Sequence, residues 1–272
     1  MYPDRLFTIT IASQELGPTL YGIMIAIGLL ACFGVLFYSK KLLNYNTDFV
    51  DFIFYDGIAS IIVGFAFAAL FQAVYNFIET GVWEFGAITF LGGLIGGAAC
   101  FLIIYVIFRN RYNTRLCEVV SYLPCCILIA HAFGRIGCLF AGCCHGTYLG
   151  QEYVFGGIKM HGTQGFGYYI PTQLYEALFL FIMFGVTFYL VVKRKYQHGL
   201  SLYLFSYGIF RFVIEFFRAD HRGEFVGSIS PSQFWSLLMI PLAFGVYFLQ
   251  KYLLKKRAEE LKNNPSGIAN KN

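Results

Sequence analysis

Seven apolar runs alternate along this chain with short charged breaks, at about 20–39, 57–78, 88–108, 119–140, 173–192, 200–217 and 232–250. A helix needs about 20 apolar residues to cross the hydrocarbon core of a bilayer. No water is available there, so each spanning segment must satisfy its backbone groups internally. The pattern predicts an all-α membrane protein, a polytopic bundle of seven transmembrane helices. Composition agrees, because the chain is 58% hydrophobic and 13% charged, whereas soluble proteins carry about 25% charged residues. The expected organisation is a single integral-membrane domain over 1–257 and a polar, disordered cytoplasmic tail over 258–272, which contains NNPSG.

Charge in the breaks sets the orientation. Lys40 and Lys41 follow the first run, Arg109, Arg111 and Arg115 the third, and Lys193, Arg194 and Lys195 the fifth. Lys251, Lys255, Lys256 and Arg257 follow the seventh. Every second connection is basic, so the positive-inside rule places the N-terminus outside and the C-terminus inside. The long connection 141–170 then lies outside. The net charge of +5 resides in these short clusters, so membrane lipids and no nucleic acid are the expected surroundings. MYPDRLFTIT lacks the basic stretch and apolar core of a cleavable signal.

Three arginines stand within or at the ends of apolar runs. A cation at mid-bilayer costs about 2.5–3.5 kcal/mol on insertion scales, so it faces the bundle interior and has a partner. Tyr207, Arg211, Glu215 and Arg218 are spaced four, four and three apart in YGIFRFVIEFFR, which puts them on one helical stripe. Glu215 can pair with either arginine. That pairing is either a buried ladder that orients helices or part of an anion site, since two arginines exceed one glutamate. Arg135 lies in GRIGC between Gly134 and Gly137, which permit close approach. His131, one turn earlier, is either a packed helix residue or a proton-transfer group.

PTQLYE at 171–176 opens the fifth run. Pro171 and Thr172 suit a helix start. Gln173, Tyr175 and Glu176 are then either interfacial capping residues or a polar wall for a lipid head group. GGLIGG at 92–97 contains two small-xxx-small pairs, read chiefly as helix packing. Cys138, Cys143 and Cys144 cluster beside His145 in GCLFAGCCHG. Structural packing, a disulfide from Cys138 to Cys143 or Cys144, a metal site and a thiolate activated by His145 all remain open.

Together FLGGLIGG at 90–97, GRIG at 134–137, PTQLYE at 171–176 and YGIFRFVIEFFRAD at 207–220 resemble the prolipoprotein diacylglyceryl transferase family. The likeness runs from YGIM at Tyr21 through the last apolar run. It implies an enzyme of the bacterial inner membrane with its active site toward the outer leaflet. The reaction implied moves the diacylglyceryl group of phosphatidylglycerol onto the lipobox cysteine thiol of a prolipoprotein, and glycerol phosphate leaves. Carried over by position, Arg135, Tyr21, Tyr207, Arg211, Glu215, Arg218 and Gly146 match the family's functional positions. Catalysis is expected from Arg135, Arg211, Glu215, Tyr21 and one of His131 or His145. Substrate binding is expected from Arg135, Arg211, Arg218, Tyr207, Gly146, Gln173, Tyr175 and Glu176. The scheme requires no metal and no organic cofactor.

The chain departs from the family at several positions. Leu91 stands where the family has histidine before GGLIG. Cys138 replaces an asparagine, and Ala141 and Cys143 replace an asparagine and a glutamate. These departures imply either a divergent branch with altered chemistry, in which His131 or His145 substitutes as base, or one that has lost activity. Two rivals share the scaffold: a thiol-dependent lipid or acyl transferase, and a non-catalytic phospholipid-binding or transport protein.

Overall fold

The structure, a computed structural model, describes residues 6, 9–11, 14–43, 47–83, 89–108, 116–218 and 229–263. Among these residues seven helices occupy the seven apolar runs: α1 Leu20–Leu43, α2 Thr47–Thr80, α3 Phe90–Phe108, α4 Leu116–Ala141, α5 Thr172–Arg194, α6 Gly199–Glu215 and α7 Pro231–Asn263. Five of them, α1, α2, α4, α5 and α7, are long and apolar enough to cross a membrane. The apolar stretch of α3 is shorter, Gly92–Phe108, and α6 has 17 residues.

Two boundaries differ from the sequence expectation. α2 begins at Thr47, well before the apolar run, because TDFVDFIFYD is amphipathic enough to extend the helix. Asp48 favours that first turn through the helix dipole. α7 continues to Asn263, so the start of the polar tail is helical. KKRAEELK is rich in strong helix formers, and Lys255 and Glu259 form an exposed i,i+4 pair at 3.9 Å. Residues 264–272 lie outside the described residues.

The all-α expectation also needs correction. β1 Ile9–Ile11 pairs antiparallel with β2 Gln14–Leu16. The connection after α4 folds into a three-stranded antiparallel sheet, order β3-β5-β4, from β3 Tyr148–Gly150, β4 Ile158–Gly162 and β5 Gly165–Tyr169. Gly165 at φ +90° closes the β4–β5 hairpin in a conformation that glycine adopts freely. Tyr169 is fully buried beneath the sheet, and its hydroxyl donates to Gly165 O at 2.8 Å.

Two compact units are present, one up to Val35 and again from Leu116, the other from Leu36 to Arg115. In the second unit α2 packs on α3 through glycines. Gly64 and Gly93 approach so closely that a Cβ on Gly64 would lie 3.1 Å from Gly93 O. Gly97 lies against Ser60 and Gly64. The GGLIGG segment therefore serves the helix packing expected of small-xxx-small pairs.

In the first unit α4, α5 and α6 enclose a core of Leu128, Ala132, Leu180 and Tyr207, flanked by Phe179, Phe181, Met183, Phe184, Tyr203 and Met239. α7 packs against α6 at Gly208, where a Cβ would lie 3.1 Å from Ser236 O. At one end Ser121 Oγ donates to Gln197 O at 2.6 Å and Gln250 Nε2 donates to the same oxygen at 3.1 Å. This ties the α5–α6 connection to α4 and α7. The helix ends that carry the conspicuous arginines gather at the opposite end.

Candidate active site

α4 and α5 bring two buried groups face to face. Glu176, in the first turns of α5, is almost wholly buried. Its Oε1 pairs with Arg135 Nη2 at 3.0 Å and accepts the Tyr207 hydroxyl at 2.7 Å. His131 Nε2 lies 3.9 Å from the same oxygen, and its ring meets Tyr207 edge-on at 5.1 Å. One carboxylate thus gathers residues from α4, α5 and α6. Arg135 Nε is buried and has no hydrogen-bond partner among the described residues, and neither has Gln173 Oε1. Such orphaned polar atoms are costly in protein interiors.

A second carboxylate organises the end of α6. Glu215 Oε2 lies 2.7 Å from Arg211 Nη1 and 3.7 Å from Arg218 Nε. Glu215 Oε1 accepts from Ser230 Oγ at 3.1 Å, and Arg211 Nη2 donates to Ser232 Oγ at 3.1 Å. The i, i+4 spacing read from the sequence therefore forms a real pair. Arg218 lies beyond the helix end, where Gly146 and Arg218 form an isolated antiparallel bridge. A Cβ on Gly146 would lie 2.5 Å from Phe217 O and 2.8 Å from Ile170 Cβ. Glycine is needed there so that three chain segments can meet. Among the described residues, three arginines stand against two carboxylates here, and the excess is positive.

Ser230, Ser232 and Tyr203 are absent from the sequence expectation. Ser230 and Gln233 form a reciprocal capping box at the start of α7: Gln233 N donates to Ser230 Oγ at 3.2 Å, and Ser230 N to Gln233 Oε1 at 3.1 Å. The S-P-S-Q pattern at 230–233, with proline at the first helical position, is the local signal for it. Tyr203 stacks on Tyr207 at 5.7 Å, one turn along the stripe.

Several expected residues take other positions. His145 is buried, its Nδ1 lies 2.9 Å from Gly146 O, and its Nε2 accepts from Thr163 N at 3.1 Å. Its ring packs on Tyr169 at 4.4 Å. Both nitrogens are engaged in holding the loop. Tyr175 faces outward, and its hydroxyl donates to Gly156 O at 3.1 Å. Gln173 and Thr172 are buried and anchor the cysteine loop, donating to Cys143 O at 2.5 Å and Cys144 O at 2.8 Å. Gly137 packs against Tyr21, whose ring a Cβ would approach to 3.1 Å, whereas Gly134 meets nothing within 4 Å. Tyr21 stands in the electrostatic reach of Arg135 and the three thiols. The side chain of Leu91, in the first turn of α3, lies outside the described residues.

Cys138, Cys143 and Cys144 come together, all three sulfurs within 4.8 Å of one another. None is in a disulfide. Hydrogen bonds from Cys138 and Cys143, together with the Arg218 guanidinium, hold the Cys144 thiol below its ordinary value.

The family model described as prolipoprotein diacylglyceryl transferase matches residues 9–249. The chain belongs to the prolipoprotein diacylglyceryl transferase family. A Clostridium tetani protein named phosphatidylglycerol–prolipoprotein diacylglyceryl transferase is 29% identical over 245 residues, 85% of this chain and 93% of that protein. A Clostridium perfringens protein with the same name and the suffix 2 is 31% identical over 68% of each chain. An Acinetobacter baumannii protein of that name is 26% identical over 87% of this chain and 89% of that protein. In this member of the diacylglyceryl transferase family, then, the arginines and carboxylates stand at one end of the helices α4, α5 and α6, with a thiol cluster beside them.

Proposed function

We propose that the chain transfers the diacylglyceryl group of phosphatidylglycerol to the lipobox cysteine of a prolipoprotein, at the outer leaflet of the bacterial inner membrane. The observation that carries this reading is the gathering of Arg135, Arg211 and Arg218 about Glu176 and Glu215, with one positive charge in excess among the described residues. A phosphodiester supplies the matching negative charge. Arginine's fork suits it, and the unused Arg135 Nε offers a donor already stripped of water. The names of the relatives agree with that chemistry.

In the reaction the acceptor thiol gives its proton to solvent, and its sulfur attacks the glyceryl carbon that bears the phosphate oxygen. The C–O bond breaks, and its electron pair leaves on glycerol phosphate. Arginines that hold the phosphate stabilise the charge developing on the leaving group, which is usually the largest contribution to rate in such sites. Glu176 and Glu215 act as positioning residues that fix the guanidinium planes. Tyr207 belongs to the same network through Glu176. Tyr21 lies near the thiols, on the side from which the acceptor approaches. All seven helices span the membrane, with the N-terminus outside, the C-terminus inside and the site near the outer face.

The test is an arginine-to-lysine series. Lysine keeps the charge and loses the fork. Arg135→Lys and Arg211→Lys lower transfer roughly 100-fold, the scale of losing one donor to a developing oxyanion. Full rescue by Arg135→Lys, Arg211→Lys and Arg218→Lys alike in cells depleted of their own transferase contradicts the shared phosphate site. Failure of the unaltered chain to rescue, when it is present and inserted, contradicts the transferase reading itself.

A further inference from the structure

Three thiols, two of them at positions where the sequence departs from the family it resembles, gather at the end of α4. Cys138 lies in the last turn of that helix. The chain then turns back through Gly142 at φ +69° and Cys144 at φ +60°. A left-handed backbone costs a non-glycine residue about 1–2 kcal/mol. Cys144 adopts it, and the effect is to point its sulfur at the other two. Cys143 N donates to Cys138 O at 3.2 Å, and Cys143 Sγ lies 3.7 Å from that oxygen. The loop is pinned from outside by Gln173 and Thr172, which hold the carbonyls of Cys143 and Cys144. The sulfurs are thus presented by a braced loop.

Sulfurs bound to one tetrahedral divalent ion at about 2.3 Å stand roughly 3.8 Å apart. The largest separation here is 4.8 Å, a difference that side-chain rotation covers. Cys143 is exposed and gives an ion access. His145, the neighbouring imidazole, is not available as a fourth ligand because Thr163 N–H occupies its Nε2. Three protein ligands with an open fourth position are the mark of a catalytic rather than a structural site. Three thiolates and a dication carry one net negative charge. Arg218 beside Cys144 and Arg135 near Cys138, each already paired with a carboxylate, lie close enough to screen that charge.

We propose that Cys138, Cys143 and Cys144 bind one thiophilic divalent cation of the zinc class, and that its open position receives the acceptor cysteine as a thiolate. The first half stands on geometry alone; the second rests on the transferase reading. The acceptor thiol displaces water from the ion and its proton passes to solvent. The sulfur lone pair then forms the S–C bond while the C–O bond to phosphate breaks, with no change in oxidation state. Metal coordination deprotonates a thiol outright, which replaces the base that Leu91 cannot provide.

The experiment is an anaerobic titration of the full chain in detergent, with thiols reduced, using Co²⁺ and then Zn²⁺. One cobalt per chain with a sulfur-to-cobalt charge-transfer band is expected, and zinc displaces it. Cys138→Ser, Cys143→Ser and Cys144→Ser each weaken binding by more than the roughly 10- to 100-fold cost of losing a mere outer-shell partner. Cys100→Ser, on α3, leaves binding unchanged. Because Cys143 is exposed, its variant keeps the fold, and an unaltered thermal unfolding curve verifies that. A lipobox-type cysteine peptide shifts the band and its serine counterpart does not. No band on the reduced protein, or undiminished binding in Cys143→Ser, overturns the site. Identical spectra with both peptides overturn the open-position role. Thioether formation at full rate by metal-free protein also overturns that role and leaves the transferase reading standing. A peptide-dependent band without thioether product supports the site and sinks the transferase reading.

Discussion

At Glu176 one carboxylate oxygen serves Arg135, Tyr207 and, at longer range, His131. Glu176→Gln keeps the shape and removes the charge, leaving Arg135 buried without its counter-ion. Breaking a buried pair from one side costs on the order of 3 kcal/mol. A clearly lowered unfolding temperature in detergent is expected, and an unchanged one contradicts the network. His145 gives the opposite contrast. His145→Ala orphans the Thr163 amide, which costs about 1–3 kcal/mol. Turnover per folded molecule stays near the unaltered value, measured as product per unit of protein surviving size exclusion. Lost turnover in a well-folded variant returns His145 to the role of base. The stripe of Tyr207, Arg211 and Glu215 is legible in the sequence, because helical spacing alone puts those residues on one face. Their meeting with Glu176 is not legible, because it depends on how α4, α5 and α6 pack.

Among the elements, α2 and α3 show how finely the glycines are matched to their neighbours. A Cβ on Gly96 would collide with the Cβ and ring of Phe67, whereas one on Gly93 meets Ala68 and Gly64 at an ordinary 3.4 Å. Gly96→Ala therefore destabilises the pair by about 1–3 kcal/mol, as overpacking does, while Gly93→Ala is nearly neutral. Thermal unfolding of the two single variants separates them, and equal effects contradict the packing. The helices are legible because a segment that crosses hydrocarbon must satisfy its own backbone, and long apolar runs in the sequence are the mark of such segments. The three-stranded sheet is not. Its strands are three to five residues long, and GFGYY has too little alternation to announce a strand. The end of α7 escapes for a different reason: polar residues suggest a tail, yet KKRAEELK favours helix by propensity.

For the whole molecule, the alternation of basic connections predicts that 141–170 faces outward and 193–199 inward. Single cysteines introduced into a cysteine-free background report this through impermeant labelling of intact cells. Labelling of 141–170 only after the membrane is opened reverses the orientation, and with it the outer-leaflet site. The transferase reading depends on this chain's moving a diacylglyceryl group with a leucine, which has no acid–base chemistry, at position 91. Incubating the purified chain with phosphatidylglycerol and a lipobox peptide, and weighing the peptide by mass spectrometry, tests that without intermediaries. The expected peptide is heavier by one diacylglyceryl group, joined through a thioether, with glycerol phosphate released in equal amount. A folded chain that yields no such product, beside a working transferase as control, contradicts the proposed activity.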